Sequence, residues 1–199
     1  MKHQDEEEII AFLRNNIEPS EDYVYGSGYR ASAYLTDGTF LPCVIFRNPK
    51  QVVELAIRRF QKEQQPGGDY HNIVTSFVTQ GNCVNSYDIA RVEKSRYAFP
   101  ISVLNQIEGE TGMAWTGFAA KMKDGKFVGF GTGFYFEFFD IPEEYSTDDI
   151  EEIVNHSYVL ETGLLRSHRV GFLFEEPDDY HKAKVFRERP FFECYIDKL

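Results

Sequence analysis

Residues 113–139, MAWTGFAAKMKDGKFVGFGTGFYFEFF, decide how this chain is read. Two runs of strand-forming residues flank Asp124–Gly125, a dipeptide suited to a two-residue turn, because a type I′ turn needs positive φ at both central positions. The segment therefore predicts a long β-hairpin. Its second arm carries glycine at alternate positions (Gly129, Gly131, Gly133), then phenylalanine at alternate positions (Phe134, Phe136, Phe138). A two-residue loop sets Ala120 opposite Gly129, Phe118 opposite Gly131 and Thr116 opposite Gly133. On the other side Trp115 meets Phe134, Met113 meets Phe136 and Ala119 meets Phe130.

One face of the hairpin then reads as a packed aromatic layer. The other reads as a shallow trough of Thr116, Phe118, Gly129, Gly131 and Gly133, bounded by Phe127 and Tyr135. Glycine inside a strand costs about 0.5–1 kcal/mol relative to alanine, so three in succession need an offsetting use. Three uses compete: Phe118 lying over Gly131, a bend or close backbone approach by a covering helix, and a flat ligand in the trough.

Working outward, YRASAYLTDGTFLPCVIF (29–46) predicts a second hairpin about Asp37–Gly38, with Thr36 opposite Thr39, Leu35 opposite Phe40 and Tyr29 opposite Phe46. Pro42 donates no hydrogen bond, so its strand is an edge there or bulged. DEEEIIAFLRNNIEPS predicts a helix with Ile9, Ile10, Leu13 and Ile17 as its apolar stripe, and acidic residues where the helix dipole favours them. RNPKQVVELAIRRFQKE predicts a helix capped by Asn48, with Val52, Val53, Ala56, Ile57 and Phe60 on one side. STDDIEEIVNH reads as a short helix capped at Ser146 or Thr147, with Ile150, Ile153 and Val154 inward. A short helix opens at Pro100. Strands are expected at 71–79, 86–93, 158–164, 170–174 and 190–196. The sum is an α+β fold over residues 1–199 as a single domain: a mostly antiparallel, twisted sheet built around two β-hairpins, with three or four helices packed on it.

Composition narrows the function classes. The chain has 199 residues and a net charge of −11, which opposes binding to nucleic acid or anionic membranes. No run approaches the roughly 18 apolar residues of a membrane span, and MKHQDEEEII lacks the features of a secretory signal. Cys43, Cys83 and Cys194 lie far apart, without metal-ligand spacing, and read as buried reduced thiols in a cytoplasmic protein. No metal and no cofactor is expected.

The motifs are incomplete. YGSGYRA (25–31) fits the loose G-x-G-x-x-A pattern, but a strand follows where a dinucleotide site needs a helix. A glycine-rich loop between strands also opens protein kinases, yet no catalytic H-R-D or D-F-G follows. None of the five histidines has zinc-site spacing. His71 begins a strand with Asp69 close by, an arrangement a general base uses. Glu108 and Glu110 in IEGETG are paired carboxylates of the kind that serve acid–base chemistry or bind Mg²⁺. Residues 137–152 hold eight carboxylates and no base, whereas 166–189 is locally basic.

Two function hypotheses follow. In the first, the chain is a non-catalytic cytoplasmic binding module whose acidic segment, through Glu143, Glu144, Asp148 and Asp149, docks on a basic protein. In the second, it is a small hydrolase or transferase using His71 with Asp69 or Glu110 as its carboxylate.

Overall fold

A computed structural model describes residues 3–22, 25–63, 81–168 and 179–199. In chain order its elements are α1 (Glu6–Asn16), β1 (Gly28–Leu35), β2 (Phe40–Arg47), α2 (Lys50–Glu63), β3 (Cys83–Val84), β4 (Ile89–Lys94), α3 (Ile101–Leu104), β5 (Thr116–Met122), β6 (Phe127–Thr132), β7 (Ile150–Asn155), β8 (Ser157–Val159), β9 (Leu165–Ser167), β10 (Val185–Arg187) and β11 (Phe192–Tyr195). The α+β class, the two hairpins and the three helices among the described residues match the reading of the sequence. Each hairpin seeds its own sheet, and the chain forms two compact units, Met1–Ser95 with Phe191–Leu199, and Arg96–Pro190.

The first unit holds a five-stranded sheet in the order β3-β11-β2-β1-β4. β1 pairs antiparallel with β2 and β4, while β11 runs parallel to β2 and β3. α1 is stabilised at its start by a capping box in which Asp5 and Glu8 each accept the other's backbone N–H. It buries Ile9, Ile10 and Leu13 against Ala31, Ala33, Val44, Phe46 and Val92. Asn48 caps α2 by accepting the Lys50 N–H at 2.9 Å. The apolar stripe of that helix is only partly covered by the described residues: Val53, Ile57 and Phe60 remain about half exposed.

The second unit holds a four-stranded sheet, β10-β6-β5-β7, and the β8/β9 pair. β5 is antiparallel to β6 and β7, and β10 is parallel to β6. Phe99, Phe118, Phe130 and Phe139 form its aromatic centre, with Phe118 and Phe130 stacked at 5.5 Å and Phe99 at 5.0–5.1 Å from Phe139 and Phe130.

Both turns correct the expected register by one residue. In each, only the glycine has positive φ, +90° at Gly38 and +85° at Gly125. The Asp side chain accepts the N–H two residues on: Asp37 from Thr39 at 2.8 Å and Asp124 from Lys126 at 3.0 Å. The flanking bonds, Leu35 N–H to Thr39 O and Met122 N–H to Lys126 O, close three-residue loops. These are type I turns followed by a left-handed glycine, the other common hairpin solution for Asp-Gly. In the first hairpin Tyr34 therefore faces Phe40. A bulge of Pro42–Cys43 opposite Ser32 then restores the expected Tyr29–Phe46 pairing. The Pro42 carbonyl exposed by that bulge accepts from the hydroxyls of Ser32 and Ser95. The second hairpin has no such bulge, so Thr116 faces Thr132, Gly117 faces Gly131, Phe118 faces Phe130 and Ala119 faces Gly129.

The expected helix at 146–156 is one 3₁₀ turn, Thr147–Asp149, leading into β7. Ser146 and Asp149 cap that turn, but the β-branched Ile150, Ile153 and Val154 extend and pair with β5. The expected strands at 71–79 and 170–174 lie outside the described residues.

Candidate functional site

The corrected register sorts the hairpin differently from the sequence reading. Phe118, Thr116 and Ala120 point with Phe130, Thr132 and Val128 into the core, all buried. Gly117, Ala119, Gly129 and Gly131 share the other face. Thr116 and Phe118 therefore do not line a trough with the glycines. Tyr135 is half exposed, in a bend where its N–H and C=O both bond the Thr132 hydroxyl.

Among the described residues, what covers the glycine face is an indole, an imidazole and backbone rather than a helix. A Cβ at Gly131 would lie 2.1 Å from Cζ2 of Trp115. One at Gly117 would lie 3.1 Å from both Trp115 Nε1 and His168 Nε2, and one at Gly129 would lie 2.8 Å from the Lys184 carbonyl. The two packing uses of strand glycine thus operate together, with Trp115 taking the part expected of Phe118. Trp115 is set there by a tight turn, Gly112–Trp115, in which Ala114 adopts φ 57° and Gly112 and Trp115 exchange backbone hydrogen bonds. The Arg187 guanidinium stacks on the indole, 4.6 Å from its ring centroid.

His168 is buried, with Tyr158 and Tyr180 rings at 4.8 and 4.9 Å. Burial, reinforced by His156, holds its imidazole below the ordinary 6.5. Tyr158 donates its hydroxyl to Asp179, which Arg166 also faces at 3.4 Å. Burial and Asp179 push the Tyr158 hydroxyl up to about 12.

A depressed histidine has a definite linkage. The unfolded chain takes up the proton first, so His168 contributes fully above about pH 6.5, and that contribution is lost as pH falls through the lower folded-state value. Urea midpoints measured between about pH 7.5 and 5 should fall for the native chain. They should fall less for His168→Gln, and equal slopes in the two proteins would contradict the burial effect.

One loop away lies a histidine–carboxylate pair. His156 stands between β7 and β8 with φ 48°, an uncommon backbone for a residue other than glycine. Its C=O accepts the His168 N–H at 2.7 Å. Its Nδ1 lies 3.1 Å from the buried Thr111 hydroxyl, and its Nε2 lies 3.6 Å from Glu108 Oε2. The Glu108 loop is tied down by Asn155, which accepts the Glu108 N–H at 2.9 Å and donates to Gln106 O at 2.7 Å. The ring of His156 is 24% exposed, enough to meet a solute.

The other sequence candidates fall as follows. Glu110 is exposed on the same loop as Glu108. His71 and Asp69 lie outside the described residues. Glu143, Glu144 and Asp148 are exposed, whereas Asp149 is occupied as a cap, accepting from the Ser146 N–H and hydroxyl. All three cysteines are free, and Cys83 is exposed rather than buried. No group of three or more His, Cys, Asp or Glu among the described residues could hold a metal ion. No helix among them is long and apolar enough to cross a membrane. Comparison with protein-family models, curated proteins and solved structures finds no match to this chain.

Proposed function

We propose that the second unit performs general acid–base chemistry of the hydrolase or transferase class, with His156 moving the proton and Glu108 facing its protonated ring. The observation that carries this reading is a partly exposed His156 Nε2 on a ring whose other nitrogen is tethered to the buried Thr111 hydroxyl, with Glu108 standing 3.6 Å from Nε2. A base needs an oriented ring and a reachable nitrogen. The left-handed backbone of His156 adds support, since sparsely populated conformations held by their surroundings cluster at functional sites. The sequence reading placed the same chemistry on His71 with Asp69 or Glu110, and His71 and Asp69 lie outside the described residues.

Turnover of p-nitrophenyl acetate and of bis(p-nitrophenyl) phosphate is the test. His156→Gln should lower kcat/KM by about 10²-fold or more, the ordinary contribution of a positioned acid–base group, and Glu108→Gln by about tenfold. Full turnover in His156→Gln would remove the reading.

A second reading, docking of a basic protein, is supported by the exposure of Glu143, Glu144 and Asp148. Glu144 also lines a groove of about 170 Å³ with Gly129, Leu160, Lys184 and Phe186. Lysine substitution at those three carboxylates should slow association with a cationic protein at low salt. Unchanged association would exclude this surface. The free, exposed thiol of Cys83 supports a reducing compartment such as the cytoplasm.

A further inference from the structure

Thr111 is 1% exposed, and its hydroxyl bonds Nδ1 of His156. Its position is fixed from two directions. The Thr111 N–H donates to Trp115 O at 2.8 Å, and Oγ1 accepts the Gly117 N–H at 3.0 Å. Oγ1 also lies 3.2 Å from Gly117 O and 3.1 Å from His156 Nδ1.

A hydroxyl has one proton and two lone pairs. One lone pair is taken by the Gly117 N–H. In one arrangement the proton goes to Gly117 O and the second lone pair accepts Nδ1–H from His156. In the other the proton goes to Nδ1, Nε2–H turns to Glu108, and the Thr111 hydroxyl no longer serves Gly117 O. The first uses every valence of a buried hydroxyl. The second gains only a contact to a carboxylate that is 72% exposed and 3.6 Å away, too long for a hydrogen bond and screened by water. Bonds in the buried, low-dielectric setting outweigh a solvated contact.

We infer that Thr111 is a positioning residue that holds neutral His156 as its Nδ1–H tautomer, leaving Nε2 as the basic nitrogen on the exposed side. The inference rests on the acid–base reading of His156 for its functional meaning. It requires only the hydrogen bonds for its truth. On protonation Nε2 gains a hydrogen that faces Glu108, while the Nδ1–H···Oγ1 bond is unchanged. The ring thus cycles between its two charge states without rearranging its buried side.

The test is a long-range ¹H–¹⁵N correlation spectrum of the full chain labelled at histidine, recorded at about pH 9, where an ordinary imidazole is neutral. His156→Gln assigns the signals. The native chain should show a pyrrole-like Nδ1 and a pyridine-like Nε2. Thr111→Ser should retain that pattern, and Thr111→Val should shift the ring toward Nε2–H. A native ring already in the Nε2–H form would overturn the inference, as would a folded Thr111→Val that keeps Nδ1–H. If Thr111→Val does not fold, the native and Thr111→Ser spectra decide. No substrate enters this measurement. An Nδ1–H ring together with full turnover in His156→Gln would sink the acid–base role and leave the tautomer assignment standing.

Discussion

Gly131→Val should destabilise the chain by about 3 kcal/mol and shift the emission of Trp115 to the red. Valine is the better strand former, by up to about 1 kcal/mol, so propensity alone predicts a gain. Sterics decide the sign, because a Cβ at 131 would sit 2.1 Å from Trp115 Cζ2 and the indole has to leave. Losing the packing of a large aromatic costs about 3–5 kcal/mol when it is fully buried, and Trp115 is only partly buried. Because Trp115 is the sole tryptophan, fluorescence reads its environment directly. A double-mutant cycle isolates the contact: Gly131→Ala should be strongly destabilising in the native chain and close to neutral beside Trp115→Ala. A coupling of about 1–3 kcal/mol is expected for residues in contact. Additive effects would mean that the glycine serves something other than the indole.

Arg47→Met should cost about 3–4 kcal/mol in denaturant midpoint experiments, although Arg47 lies far in sequence from either candidate site. Arg47 is 3% exposed and faces Glu193, itself 6% exposed, at 3.5 Å. It donates to Gly26 O at 2.5 Å and has Asp22 at 3.8 Å. Tyr195 donates its hydroxyl to the same Glu193, and burial together with that carboxylate pushes the phenol well above its ordinary range. Removing the guanidinium takes a counter-charge away from a buried carboxylate, which is the costly event. The formation of the pair itself is worth much less. Arg47→Met with Glu193→Gln should therefore recover more than half of the loss. A double variant as unstable as the single one would place the cost in packing instead.

The two hairpins were legible because Asp-Gly between alternating apolar runs has few other uses. Loop length was not, since Asp-Gly serves both a two-residue loop and a three-residue loop with a left-handed glycine. Only Gly38 and Gly125, not Asp37 or Asp124, take positive φ. The first hairpin absorbs the slip at Pro42–Cys43, a bulge that the proline signalled. The second carries it to the end, which moved Phe118 from the glycine face to the core.

The parallel pairings of β10 and β11 were also hidden, because three- and four-residue strands reach partners distant in sequence. The same non-locality hid the site. Glu108 stood out in IEGETG as a carboxylate, but nothing near it in sequence names His156 as its partner. Their meeting depends on β7 lying beside β5 and on Asn155 holding the Glu108 loop. The stretch STDDIEEIVNH (146–156) invited a helical reading because the cap at Ser146 is real, and the β-branched residues after it outvoted the cap.

The most direct measurement is the set of nuclear Overhauser contacts to the α-protons of Gly131. Strong cross-peaks from the indole Hζ2 and Hη2 of Trp115 are expected, and none from the ring of Phe118. Cross-peaks from Phe118 to Gly131, with Trp115 free in solvent, would return the hairpin to a two-residue turn and contradict the glycine face on which the site is built.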